Sequence, residues 1–429
     1  MQRIEGTIPR PAIPDTGKLI WFERNAEEML MAMPAVENLR NTPLAIWTMA
    51  FRPFFLMAGV WSSAALAGWI VMLTMGIALP SRFDPLTWHI HEMLFGFVMA
   101  AIAGFLLTAI PNWTGRAPIS GWPLASLAAL WLAGRIACLV SASIPFGLAA
   151  TIDLAFPFVL CAVCAREIAA GRNWRNMPMP LPIAVLGIAD LLMYLELAGF
   201  AVPAGLGWRL GLTAIVVLIS VVGGRIIPTF TRNWLTKRGT PVLPAGHGRV
   251  DVVALAALHA GMIGWAFFPK FSPVGGLLVV AAALNLWRLA RWRGIVTLSE
   301  PLLTVLHAGY LWVVIGAALL GASMMSSQLP EAAAIHALTA GAIGTMTLGV
   351  MTRVSLGHTG RALAADRITT LIYLLVILAA AARVTAAIGS LPALLEISAL
   401  LWIGGFGLFA LRYGPMLLAP RADAGRNGG

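Results

Sequence analysis

Two histidines and a glutamate open the segment Trp88-His89-Ile90-His91-Glu92-Met93, and about twenty nearly pure hydrocarbon residues follow without a break. Groups this costly to desolvate need a use at the mouth of an apolar helix. Neutral imidazole binds haem iron, copper and zinc alike. In an α-helix, residues two apart are rotated by about 200°. His89 and His91 therefore cannot hold one ion together, and an intact helix aims one imidazole at each of two sites. The sequence has no C-x-x-C-H for covalent haem attachment and no H-E-x-x-H zinc motif.

The elements that must position these rings are membrane spans. Of 429 residues, 59% are apolar and 11% charged, against roughly a quarter charged in a soluble domain. Measured against the roughly twenty residues needed to cross the hydrocarbon, the chain offers twelve stretches, apolar all round. They lie near 54–79, 88–111, 122–141, 146–165, 181–200, 206–229, 250–268, 273–290, 300–320, 332–354, 368–388 and 391–411. The fold class expected is all-α and polytopic. Residues 1–45 read as a cytoplasmic tail, either partly disordered or with Lys18–Met33 lying on the membrane as an interfacial helix, residues 46–413 as the membrane domain, and 414–429 as a second cytoplasmic tail.

The net charge of +11 does not mark a nucleic-acid binder, because the cations sit in alternate linkers. Arg116, then Arg166, Arg172 and Arg175, then Arg232, Lys237 and Arg238, then Arg291 and Arg293, then Arg361 and Arg367 fall on one side. The intervening linkers hold little beyond Arg82 and Lys270. This positive-inside pattern over an even number of spans puts both termini in the cytoplasm.

The chain also repeats itself. His91 lies 23 residues before Thr114-Gly115-Arg116, and His336 lies 23 before Thr359-Gly360-Arg361. Gly96 matches Gly341 and Gly104 matches Gly349 at identical offsets, and Ile227-Pro228 on span 6 echoes Ile110-Pro111. Equivalents every four helices predict three arcs of four around a pseudo-threefold axis.

Spans 2 and 10 run the same way, so His89, His91 and His336 share one level near the outer face. His259 and His307 lie nearer the midplane, and His247 and His358 at or beyond cytoplasmic ends. Arg82, Arg135, Arg209 and Arg383 also sit near the outer face; Arg135 is expected to pair with Asp153 across a short hairpin. Arg209 and Arg383 are candidate partners for haem propionates. Met93, Met346 and Met351 are soft donors that copper accepts, although methionine in spans ordinarily packs. Cys161 and Cys164 form a C-x-x-C outside any redox-fold context and read, with Cys138, as packing residues. Asp190 on span 5 could feed protons to a metal, but reads first as a satisfied polar contact.

The segments "FRPFF" (51–55), "WHIHEMLFGF" (88–97), "LLTAIPNWTGR" (106–116), "GGRIIPTFTRNWL" (223–235), "LHAGYLW" (306–312) and "HALTAGAIGTMTLGVMTRVSLGHTGR" (336–361) resemble the NnrS family. The resemblance implies a bacterial inner-membrane protein of twelve helices that contains b-type haem and copper and serves nitric oxide metabolism and resistance to nitrosative stress. In architecture the chain is similar, more weakly, to haem–copper oxidase core subunits, although its H-x-H lies on span 2 and it has no His-His pair on span 7. With that resemblance in view, His91 and His336 are expected as axial ligands of the haem, and His89, with His307 and His259, at a second metal centre. Nitric oxide, apolar and lipid-soluble, would meet a metal centre within the bilayer; with both axial positions of the haem taken, any gas site would be the second centre. Two other classes stand beside this one. A proton-coupled carrier would use Asp153, Asp190, Glu196 and Glu396; a nitric oxide reductase or electron-transfer enzyme would need an electron donor that the sequence does not name.

Overall fold

The computed structural model describes residues 44–422; the interfacial helix expected over Lys18–Met33, both chain termini and most of both tails lie outside the described residues. Twelve helices are long and apolar enough to cross a membrane, and no strand occurs among the described residues. They are α1 (Phe51–Met75), α2 (Pro85–Thr114), α3 (Gly121–Leu139), α4 (Phe146–Ala170), α5 (Leu181–Leu197), α6 (Leu206–Lys237), α7 (Arg249–Phe267), α8 (Ser272–Ala290), α9 (Pro301–Met325), α10 (Glu331–His358), α11 (Arg367–Gly389) and α12 (Pro392–Leu418). The last helix runs past the expected end of its span. At 1.5 Å per residue the 32 residues of α6 span about 48 Å, well over the roughly 30 Å hydrocarbon layer.

Burial sorts the helices into an inner and an outer set. In their most apolar stretches, 83% of α2 is buried, 67% of α10 and 61% of both α6 and α9, against 33% of α1, α4 and α12. Of these, α2, α6 and α10 touch one another, and each packs on the helix before it in sequence: α1 on α2, α5 on α6, α9 on α10. The remaining neighbours follow as α11–α12–α1, α3–α4–α5 and α7–α8–α9. Contacts thus recur every four helices, in three arcs around α2, α6 and α10. Leucine, isoleucine and phenylalanine side chains such as Leu132, Ile136, Phe158, Leu374 and Leu400 face outward from the outer helices, as lipid-facing positions require.

The internal repeat has a structural counterpart. In both α2 and α10 a seven-residue π-helical stretch begins just after the repeated histidine, at Glu92–Val98 after His91 and at Ala337–Ile343 after His336. A π segment carries an extra residue per turn and re-aims the side chains on either side of it. Its repeated glycine receives an indole from the preceding helix. A Cβ on Gly96 would fall 2.7 Å from Trp61 of α1, and one on Gly341 would fall 2.5 Å from Trp312 of α9. Just beyond the two helix ends, Gly115 (φ 68°) and Gly360 (φ 71°) take the left-handed conformation that favours glycine.

The "FRPFF" segment ties the arcs together. Arg52 donates to the carbonyls of Leu417 (2.9 Å) and Ala419 (2.6 Å), satisfying the open C-terminal end of α12. The Phe51 amide donates to Thr108 of α2, and its ring packs 5.5 Å from His358 of α10.

Without a hydrophobic force between helices in lipid, close packing carries their association. Gly341→Val should therefore cost about 1–3 kcal/mol by overpacking Trp312, read as a lower thermal unfolding midpoint in detergent. Gly147→Ala, where an added Cβ meets nothing within 4 Å, should leave the midpoint unchanged. Equal midpoints for the two variants would contradict the packing described.

Candidate metal centre

The H-x-H of α2 does point two ways. His89 faces a cavity of about 720 Å3 that it shares with His336 of α10 and Arg383 of α11. The walls are largely apolar: Trp69, Met93, Phe97, Trp208 and Trp402 are among them. Asp84 and Glu196 line the cavity at the cation-poor end of the bundle, the expected outer end. Asp84 also caps α2, accepting from the amides of Leu86 and Thr87. Partial burial raises its carboxyl, but those hydrogen bonds outweigh it and hold the group below the usual range.

Both cavity histidines are oriented by neighbours. The His89 ring stacks on Trp69 with centroids 4.3 Å apart and planes 22° apart, and its Nδ1 is buried with no hydrogen-bond partner. The His336 Nδ1–H donates to the Ala332 carbonyl one turn back on its own helix, at 2.7 Å. That bond fixes the tautomer and leaves Nε2 of His336 with its lone pair free to bind.

His91 turns to the opposite side of α2. It is fully buried among α2, α3, α4 and α5. Nδ1 lies 3.1 Å from Glu92 Oε1 and 3.6 Å from Cys138 Sγ. Nε2 lies 2.9 Å from Asp190 Oδ1 and 3.1 Å from Asp153 Oδ2. Arg135 closes the cluster, pairing with Glu92 at 2.9 Å and with Asp153. The Trp61 indole donates to Glu92 and the Tyr194 hydroxyl to Asp153. Phe83 stacks on the His91 ring at 4.9 Å.

Helical spacing builds this cluster. Arg135 and Cys138 are three apart on α3, and Asp190 and Tyr194 four apart on α5, so each pair shares a face. Gly134 lets α3 approach α4: a Cβ there would meet Asp153 Oδ1 at 2.7 Å. His91, Cys138 and Asp153 offer nitrogen, sulfur and oxygen donors within 4.8 Å of one another.

The structure thus groups the expected site residues differently from the sequence pattern. His336 meets the cavity with His89, and His91 is not among the cavity's walls. Arg383 lines the cavity, whereas Arg209 donates to the Ala266 carbonyl at 3.0 Å and lies over Trp208. His259 and His307 do not join His89. His259 shares a 2.8 Å hydrogen bond with Ser220, and His307 a 2.9 Å bond with Thr231 on the long end of α6. Near His259, Arg288 pairs with Asp251 and donates to the Tyr310 hydroxyl, which donates to Asn285: a satisfied network across α7, α8 and α9. Met93 lines the cavity, while Met346 packs over Gly309 and Met351 is core.

The expected pairing of Arg135 with Asp153 is present. Cys161 approaches the Pro180 carbonyl and Cys164 is buried. The sequence pattern does not mark Glu92, Cys138 and Asp153 as companions of His91. The signal that could have found them is the i, i+3 placement of Arg135 and Cys138 on a span facing Asp153.

Removing Arg135 would leave Glu92 and Asp153 buried without their cation. Arg135→Gln should cost about 3–5 kcal/mol, measured as a fall in thermal stability in detergent. Asp153→Asn in the same background should recover part of the loss, and a single variant as stable as the parent would refute the role given to the ion pair.

The profile of the NnrS family, described as NnrS protein, matches residues 45–421, which takes in every membrane helix. No curated protein is similar enough to the chain to add a relative. With its twelve helices and near-complete match, this chain is a multi-pass membrane protein that belongs to the NnrS family.

Proposed function

We propose that the chain holds a b-type haem in the cavity between α2 and α10, that His89 and His336 would hold its iron, and that it serves the bacterial response to nitric oxide from the inner membrane. One observation carries this reading: two imidazoles from facing helices share an apolar cavity with an arginine. The volume of about 720 Å3 falls in the usual range for cofactor sites. The bond from His336 Nδ1–H to the Ala332 carbonyl fits ligation through its Nε2, and no hydrogen bond ties the buried Nδ1 of His89. Arg383 supplies the cation that a propionate needs, and Trp69 keeps the His89 ring from turning.

When bound, a haem held by two histidines supplies one-electron chemistry. The residues present do the rest: they exclude water with tryptophan, phenylalanine and leucine, orient both ligands and place one positive charge at the edge. Family membership supports a membrane protein of the nitric oxide response, and the resemblance to NnrS members implies copper beside the haem. The carrier reading loses support because, of its four acids, only Glu196 lines the cavity, where it accepts from the Gly205 amide, while Asp153 and Asp190 are engaged with Arg135 and His91.

Purified protein should show a b-type Soret and α-band on reduction. His89→Ala and His336→Ala should each lower haem content about tenfold or more, by pyridine haemochrome assay. Wild-type haem content in both variants would discard the assignment. Arg383→Gln should keep much of the haem but lower its midpoint potential, since a nearby cation favours the less positive reduced iron. A spectroelectrochemical titration measures the shift, and an unchanged or higher potential would remove Arg383 from the site.

A further inference from the structure

We propose that the pocket between residues 359–366, which link α10 to α11, and the end of α12 binds the phosphate of an anionic phospholipid, with Arg361 and Arg412 as its cations. The pocket lies at the cation-rich end of the bundle, the expected cytoplasmic end, opposite the mouth of the haem cavity. It does not depend on the haem reading.

The internal repeat carries it. Arg116 closes the first Thr-Gly-Arg of the repeat and Arg361 the second. In the first copy α4, two helices on from α2, supplies a carboxylate. Arg116 pairs with Glu167 at 2.7 Å, and a void of only about 10 Å3 remains beside them. In the second copy α12, two helices on from α10, brings another cation, Arg412, and the pocket measures about 660 Å3. Arg361 has no carboxylate partner among the described residues; its Nη1 reaches the Thr359 carbonyl at 3.4 Å. One copy is thus closed by an anion of the protein, and the other has the charge and the room for an anion from outside.

The carboxylate on the pocket wall, Asp366, is already engaged. Its Oδ2 accepts from Nε and Nη2 of Arg412 at 3.0 and 2.7 Å, and its Oδ1 from the Thr369 amide. Nη1 of Arg412 keeps no partner among the described residues, and guanidinium N–H groups match phosphate oxygens. Behind the wall, Arg52 holds the Ala419 carbonyl and lies within electrostatic reach of Arg361. Three cations against one carboxylate leave the pocket positive. The rest of the lining makes the occupant a lipid. Leu356, Leu411 and Met416 are walls, and Leu411 is 76% exposed on the outward side of α12. Beside it Ile368, Leu371, Leu374 and Leu378 recur at helical spacing along the outward face of α11, a track for acyl chains. Basic pockets at the cytoplasmic ends of membrane helices suit anionic headgroups. A free phosphate would use the cations and leave the apolar walls wet.

The test uses full-length protein in detergent, stripped of lipid and titrated with phosphatidylglycerol, phosphatidylcholine or inorganic phosphate alone. Native mass spectrometry counts the molecules bound. Wild type should hold one phosphatidylglycerol per chain more tightly than phosphatidylcholine. Arg361→Gln should weaken that binding about fivefold or more, whereas Arg116→Gln, the same change in the closed copy, should leave it unaltered. Ala364→Glu sets a carboxylate on the pocket wall and keeps both arginines. It should weaken binding as well, and it carries the test if Arg361→Gln does not fold. Wild-type affinity for phosphatidylglycerol in either folded pocket variant would overturn the proposal, as would equal affinity of wild type for the two lipids. Inorganic phosphate bound by wild type and lost in Arg361→Gln, with no preference between lipids, would overturn the lipid and assign the pocket to a soluble anion.

Discussion

The bilayer gives no water to a buried imidazole, so each ring on α2 must find its partner inside the bundle. That constraint, applied to two histidines on opposite sides of one helix, shapes the upper half of the molecule. On one side it demands the cavity shared with His336 and Arg383; on the other it demands the buried cluster of Glu92, Arg135, Asp153 and Asp190. Because one face of α2 lines the cavity and the other meets polar partners, α2 has no face left for lipid and sits at the centre, the most buried helix of the twelve.

The architecture around it follows from repetition. Three inner helices at intervals of four touch one another, and the helix before each covers it. The π segments of α2 and α10 begin directly after their histidines. Tryptophans from α1 and α9 then close over the matching glycines. Both sides of the cavity are thus built by the same local device used twice. The "FRPFF" and "TGR" segments, far from the cavity, have structural work: Arg52 satisfies the end of α12, and Arg116 pairs with Glu167 on α4 at 2.7 Å. Sequence signatures of this chain therefore mark helix junctions as much as chemistry.

Several features are legible in the chain's one-dimensional pattern. Twelve spans, their alternating cationic linkers and the equivalence of spans 2 and 10 follow from hydropathy and offset alone, since each is a local property. The Arg135–Asp153 pair is legible because a short hairpin leaves little freedom in relative depth. Which histidine meets His336 is not. His89 and His91 differ by about 3 Å in height and about half a turn in azimuth, and the sequence shows only the height.

The amino-acid sequence by itself determined the number of helices, their order, the position of each ionisable group along its helix and the rule that the two histidines of α2 point to different places, because helix geometry and the cost of polar groups in hydrocarbon act within a single segment. Only the tertiary structure decided the partners: His89 with His336 and Arg383, His91 with Cys138, Asp153 and Asp190, and His259 and His307 with single hydroxyls elsewhere. The physical reason is rotation. How far each helix turns about its own axis is set by π segments and by glycine contacts between neighbours, and those are properties of the packed bundle rather than of any one span.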